Sequence, residues 1–358
     1  MNVTYVHADK PHEWNSAEWR CAIPARAINR TKRHRAKLLP IEYFAENGPA
    51  AAYALEDADV IVLQRGAMPD TWAAVDHWRQ RGKIILADID DGYPQITPEH
   101  PAFNFWHKGI SVDAAGRQMQ LPRPAIYEMA DGLRRLKGLT APNRLILSDW
   151  LAAVGVNGRY VPNFLPTRPY LSATRTRSPQ SDGTYWIAWG GSAGHFVSFQ
   201  NSGILYALAR VISKRPNARF IMCGADVRII DALPLKDEQK INLHWRPYTE
   251  WPERLVNFDL GLIPVAGDFD ARRSWLKPLE YSLCSVPWIA SKSPAYADLT
   301  GYGAFVDNTP DAWAAAIEEH LAIGPDPAGV KAARDFAAAQ DIDRNVEKII
   351  NAYAELCK

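Results

Sequence analysis

Residues 258–291 read FDLGLIPVAGDFDARRSWLKPLEYSLCSVPWIAS. The segment opens on a continuous apolar run, passes through a charged loop, enters a helical pattern and closes on a second apolar run, VPWIAS. Short apolar runs joined by a helix are the signature of a βαβ unit whose parallel strands are buried on both faces. Pro278 has no amide hydrogen and is tolerated only in a first helical turn, so the helix is expected to start near Ser274 to Lys277. Arg272, Arg273, Ser274 and Lys277 then surround a helix N-terminus, where free N–H groups and the macrodipole already favour an anion. Glu280 lies on the same helix face as Lys277, and a carboxylate there can accept the hydroxyls of a ribose. The preceding strand ends at this helix's entry loop, the position where α/β proteins hold ligands. A nucleoside diphosphate satisfies the whole set. The competing expectation is a solvent-exposed Lys277–Glu280 pair beside loop arginines.

The same alternation extends in both directions. Upstream, NVTYVHA, DADVIVLQ, KIILADID and GRYVPN are strand candidates. Between them lie helical patterns such as PDTWAAVDHWRQRG, and SDWLAAVGV with Ser148 or Asp149 as its cap. Residues 168–183 lose all hydrophobic periodicity and read as a linker. TYWIAWGG, ARFIMCGAD, INLHWRP and GAFVD then restart the pattern. A chain of 358 residues suits two cores. The expected organisation is a Rossmann-like domain over residues 1–167, a linker over 168–183, a second Rossmann-like domain over 184–335, and an amphipathic helix over 336–358 that packs back across the junction.

Composition excludes more than it selects. With 47% hydrophobic and 23% charged residues and a net charge of +1, the chain is globular and favours no partner by charge alone. Four scattered cysteines form neither a CxxC pair nor a disulfide framework. The N-terminal stretch lacks the pattern of a signal peptide, and no apolar run is long enough to span a bilayer, so a cytoplasmic setting is expected.

The stretch around Phe269, Asp270, Arg273, Ser274, Lys277, Glu280, Tyr281 and Pro287 resembles the donor-site signature of retaining GT-B glycosyltransferases of the group-1, or family-four-like, type. The resemblance continues in HWRPYTEWPERLVNF and in WIAWGGSAGH. It is weaker in EWRCAIPARAI, DADVIVLQR, GKIILADIDD and VPNFLP, which are similar to landmarks of a bacterial and phage branch. This resemblance implies a GT-B fold, two Rossmann-like domains facing each other across a cleft, with the acceptor held by the first and the sugar nucleotide by the second. It implies that Lys277, Arg273 and Ser274 hold the diphosphate and Glu280 the ribose. Gly190, Gly191 and Ser192 would let backbone approach the phosphates, Trp245, Arg246 and Tyr248 would flank the base, and Phe269 and Arg272 would complete the donor site. Many relatives carry a Glu-x7-Glu pair. Arg272 stands where the first glutamate belongs, so that either Asp270 replaces it or this branch does without it, and a non-enzymatic nucleotide-binding module is the competing class. His195 matches the family's histidine, although Ser198 replaces the aspartate expected after it.

Two further clusters need assignment. DIDDG, residues 88–92, reads as a GT-A-type metal motif, as the loop of an Asp-nucleophile phosphatase using Asp88 and Asp90, or as an acceptor-side lining by Asp88, Asp90 and Asp91. Strand-end capping is the plain structural alternative. RTKRHRAK, residues 30–37, reads as a solvated, mobile loop. With Arg20 nearby, Arg33 and Arg35 give a polyanionic acceptor such as modified phage DNA a minority claim. The expected activity is therefore transfer of a sugar from a nucleoside diphosphate donor, with retention and without a metal or other cofactor.

Overall fold

The computed structural model describes residues 1–11, 15–112, 116–178, 183–224, 226–244 and 247–358. The first half supplies β1 (Asn2–His7), β2 (Arg35–Pro40), β3 (Val60–Gln64), β4 (Ile84–Asp88), a small antiparallel hairpin of β5 (Ile110–Val112) and β6 (Gln118–Gln120), then β7 (Gly138–Ala141) and β8 (Gly158–Tyr160). The second half supplies β9 (Tyr185–Gly191), β10 (Ala218–Gly224), β11 (Lys240–Asn242), β12 (Leu260–Ile263), β13 (Trp288–Ser291) and β14 (Ala304–Val306). These form two six-stranded sheets, ordered β2-β1-β3-β4-β7-β8 and β11-β10-β9-β12-β13-β14. All their pairings are parallel.

Their central strands are mostly apolar because helices cover both faces: β3, VIVLQ, is buried at every position, Gln64 included. Strand order reverses at β1/β3 in one sheet and at β9/β12 in the other, and crevices at such switch points are where doubly wound sheets hold ligands. Two Rossmann-like domains thus face each other, as the resemblance implied.

Three local expectations need correction. The helix Arg144–Val154 starts a turn before Ser148, because the Asn143 side chain accepts the Leu145 amide at 2.8 Å. Residues 168–172 are not linker: they belong to the helix Thr167–Ser172, which buries Tyr170. Downstream, the Arg177 guanidinium donates to Asp259 Oδ2 at 3.0 Å and to the Asn257 carbonyl at 2.9 Å. Residues 35–37 of the basic run are edge strand β2 rather than loop, paired with β1 from Asn2↔Arg35 onward.

The last helix, Ile342–Cys357, returns to the first domain. Its Ile342, Val346, Ile349 and Tyr353 join a core that also contains Tyr5 of β1 and Trp275, Leu279 and Tyr281 of the second domain. No helix among the described residues is long and apolar enough to cross a membrane.

Candidate active site

Strand β9 ends in Gly190 and Gly191, and both glycines are required by close approach. A Cβ on Gly190 would lie 2.2 Å from the Trp251 ring, and one on Gly191 would lie 3.0 Å from Lys277 Nζ. The helix Leu276–Leu283 brings Lys277 there, with Trp275 at its N-cap and Pro278 in its first turn. Lys277 Nζ lies 5.6 Å from the centroid of the Trp189 ring. Among the described residues it has no carboxylate within 4.0 Å. Burial, reinforced by the neighbouring Arg273 charge, lowers its pKa. A half-buried ammonium at a helix N-terminus, against an open glycine turn and without a counter-ion, is a strong electrostatic demand for an anion.

Glu280 is 4% exposed and accepts the Tyr170 hydroxyl on Oε1 at 2.8 Å. Burial raises its pKa, while Tyr170, Lys277 and Trp251 oppose the rise. The exposed Lys277–Glu280 pair is therefore excluded. An ionised carboxylate offers about four lone-pair directions, so Tyr170 orients Glu280 and leaves acceptor capacity for a hydroxyl.

Arg273 is braced rather than free. Its Nε donates to Asp270 at 3.1 Å, its Nη1 donates to Asp91 across the domain boundary at 3.3 Å, and its guanidinium stands 4.5 Å over the Phe269 ring. Its buried Nη2 has no hydrogen-bond partner among the described residues. His195 is also buried, its Nδ1 has no partner among the described residues, and its ring sits edge-on to Trp189. Burial, then Lys277 and Arg273, hold that imidazole well below its ordinary pKa, hence neutral. Ser274 is half-buried just before the helix, and Ser192 is exposed just after β9. Lys277, Arg273, His195, Gly190 and Gly191 thus converge beyond the carboxyl ends of β9 and β12, with Glu280 one helical turn further along.

Other expected residues have different occupations. Arg272 forms a two-pronged pair with Asp149 and donates to the Asp268 carbonyl at 2.7 Å, which commits it to the first domain rather than to the crevice around Lys277. Asp270 is 3% exposed with both oxygens engaged: Oδ2 accepts Ser198 Oγ at 2.6 Å and the Ala266 amide at 2.8 Å, and Oδ1 accepts Arg273. Phe269 is buried in the first domain's core cluster. Tyr248 reaches the first domain too, edge-on to Trp19 with centroids 6.4 Å apart. Trp245 and Arg246 lie outside the described residues.

On the facing domain, Asp88 accepts Arg20 through both oxygens, at 2.8 and 2.7 Å, and Thr140 Oγ1 at 2.6 Å. Asp90 accepts Arg65 through both oxygens at 2.9 Å. An Asp nucleophile or a pair of metal ligands needs open lone pairs on one side, and here each carboxylate is taken by its own arginine. No cluster suited to a metal occurs among the described residues. Asp91 alone is loosely held, its pKa pushed up to about 6 by burial against the opposing pull of Arg273. In the basic run, Arg33 pairs with Glu347 at 2.6 Å, Arg30 with Asp343 at 2.6 Å and Lys37 with Asp57 at 2.7 Å. Arg35 is exposed and has no ion-pair partner among the described residues. Arg30 and Arg33 of the run thus pair with the last helix.

Two site residues escaped the sequence reading. Tyr170 lay in a stretch without periodicity. His100, from the first domain, approaches the glycine turn so closely that a Cβ on Gly194 would lie 2.8 Å from its Nε2. Its ring also packs edge-on against Phe269, 5.0 Å between centroids. No local signal distinguished either from an ordinary loop residue.

No protein-family model matches the chain, and no curated protein matches it in sequence. Solved structures do match in three dimensions. The Anabaena protein Alr3699/HepE, solved with UDP and glucose, superposes with a TM-score of 0.65 at 13% identity over 99% of this chain and 100% of that one. Sucrose-phosphate synthase from Thermosynechococcus elongatus superposes at 0.64 and 12% identity, over 99% of this chain and 98% of that one. A putative UDP-N-acetylglucosamine 2-epimerase from Listeria monocytogenes follows at 0.58 and 8% identity, over 98% and 95%. The chain has the GT-B fold, aligned along its whole length with proteins of that architecture.

Proposed function

We propose that this chain is a glycosyltransferase that takes its sugar from a nucleoside diphosphate donor, with retention of configuration and without a metal. The observation that carries the reading is Lys277 Nζ, held against the Gly191 turn with no counter-ion among the described residues. The solved structures of HepE with UDP and of sucrose-phosphate synthase support it by fold.

As the bond to the sugar breaks, negative charge grows on the leaving diphosphate. Lys277, the open Nη2 of Arg273 and the helix-end amides stand ready for that charge without reorganising. Neutral His195 can hydrogen-bond in the same space without adding charge. Glu280, steadied by Tyr170, accepts a ribose hydroxyl. With Asp88, Asp90 and Asp270 all engaged by arginines, the departing phosphate itself is the natural recipient of the acceptor's proton, and this supports retention.

The GT-B fold also carries the Listeria epimerase, so a donor test must read transfer as well as binding. UDP, GDP and ADP should be compared for thermal stabilisation, then the matching sugar nucleotides for turnover with and without EDTA. Release of nucleoside diphosphate that survives EDTA, with an α donor giving an α product, is expected. Stabilisation without turnover means a binding module, conversion of the sugar nucleotide without release means an epimerase, and an inverted product makes Asp91 the general base.

A further inference from the structure

Behind the donor helix lies a crevice of about 410 Å³ built from both domains and the returning C-terminal helices. We infer that it is a second ligand site, which takes an anionic, sugar-sized ring. Its position separates it from the donor crevice. Trp275, the N-cap of the donor helix, lines it while donating Nε1 to the Asn163 carbonyl at 2.9 Å. Beside that bond, Asn143 Nδ2 donates to the carbonyls of Ala271 and Arg273, both at 3.0 Å. Neither Lys277 nor Glu280, His195 or the Gly190–Gly191 turn lines the crevice. Its volume falls within the ordinary range for small-molecule sites.

The lining selects the class of ligand. Trp275 and Phe336 meet edge-on at 6.1 Å and 88°, and Phe164 and Tyr160 complete an aromatic wall suited to the apolar face of a ring. Two cations stand over that wall: the Arg144 guanidinium lies 3.9 Å from the Tyr160 centroid and Lys348 Nζ 5.8 Å from that of Phe164. Against them stands one carboxylate, Asp298, whose approach to Arg144 is loose at 3.9 Å. Lys348 has no carboxylate within 4.0 Å among the described residues. Ring faces with excess positive charge reject a purely apolar guest, and too few cations are present for a polyphosphate. A hydroxylated ring bearing one acidic group uses the wall, the cations and the polar ends of Asp298 and Gln340 together.

The site is independent of the donor reading, and the test separates the two. Thermal melts of the full chain with glucuronate, glucose 6-phosphate, glucose and inorganic phosphate should be run with and without saturating UDP. Glucuronate or glucose 6-phosphate should raise the melting temperature under both conditions, at concentrations about tenfold below those that glucose or phosphate require. Arg144→Ala and Lys348→Ala should each weaken that response about tenfold while leaving the response to UDP unchanged. Three results overturn the inference: no response to either anionic sugar, a response that survives in the double variant, or one that saturating UDP abolishes. Failure of every nucleotide to stabilise the chain would count against the donor site alone.

Discussion

In the proposed transfer, Lys277 is the residue on which the chemistry turns. Its contact with the diphosphate strengthens as the leaving group gains charge, so Lys277→Ala should reduce kcat about a hundredfold to a thousandfold, as loss of one preorganised donor does elsewhere. Glu280→Ala should mainly raise the donor KM, because ribose hydroxyls do not change charge in the reaction. The loss of charge-assisted hydrogen bonds is worth about 1.5–3 kcal/mol. Donor kinetics beside thermal melts decide between the roles, since normal kinetics with a lowered melting temperature would make both residues structural. Asp91 gives a pH-dependent test. Its pKa is raised from 3.8 to about 6, so the folded chain holds a proton that the unfolded chain releases. That stabilising contribution is complete below about pH 4 and is lost as pH rises through about 6. At neutral pH the buried charge costs up to about 3 kcal/mol. Asp91→Asn, which keeps an acceptor for Arg273, should therefore melt like the wild type at pH 4 and above it at pH 7.5. Equal melting at both values would show that Arg273 fully offsets the burial.

Among the elements, the helix Ile342–Cys357 has the largest expected effect. Val346, Ile349, Ile350, Tyr353 and Leu356 are each at most 5% exposed, and Tyr353 meets the Tyr5 hydroxyl of β1 at 3.0 Å. Burial of one such side chain is worth about 1.5–3 kcal/mol, so five approach the whole net stability of a domain. Truncation after Asp341 should leave an insoluble chain, and a soluble truncation with a wild-type melting temperature would refute this. By contrast, Arg33→Ala should cost less than about 1 kcal/mol, because its partner Glu347 is exposed. The same elements show what a sequence can disclose. Strands β1, β3, β4, β9, β10, β12 and β13 are short, mostly apolar runs and were legible as such. Strand β2 was not, because an edge strand faces water and RAKLLP reads as the end of a charge run. Strand β7 has only four residues, GLTA, and its burial comes from neighbours distant in the chain. Within the site, Lys277 and Glu280 were legible because a proline fixes where their helix starts. Tyr170, which orients Glu280 from 110 residues away, was not.

At the scale of the whole molecule, the proposed donor site is completed by the other domain. Arg273 is braced by Asp91, Arg272 by Asp149, and the backbone between them by Asn143, all from the first half of the chain. On the proposed reading, the junction contacts hold the cations that would meet the diphosphate, so loosening the junction should weaken donor binding without touching a donor ligand. Asn143 permits a clean version of the test, because its two ends do different work. Its Oδ1 caps the helix Arg144–Val154 through the Leu145 amide, while its Nδ2 donates across the junction to Ala271 and Arg273. Asn143→Asp keeps the capping oxygen and replaces both donations by repulsion between a carboxylate and two carbonyls at a site 7% exposed. Loss of two hydrogen bonds of about 1 kcal/mol each, with that repulsion added, predicts donor affinity lowered at least about thirtyfold. Asn143→Ala should lose the cap as well and so fall further in melting temperature by the equivalent of about 1 kcal/mol. Titration of the nucleotide, with small-angle scattering to follow the opening of the cleft, checks both. If Asn143→Asp binds the nucleotide as tightly as the wild type, the junction does not govern the site. The brace on Arg273 would then come from Asp270 within its own domain.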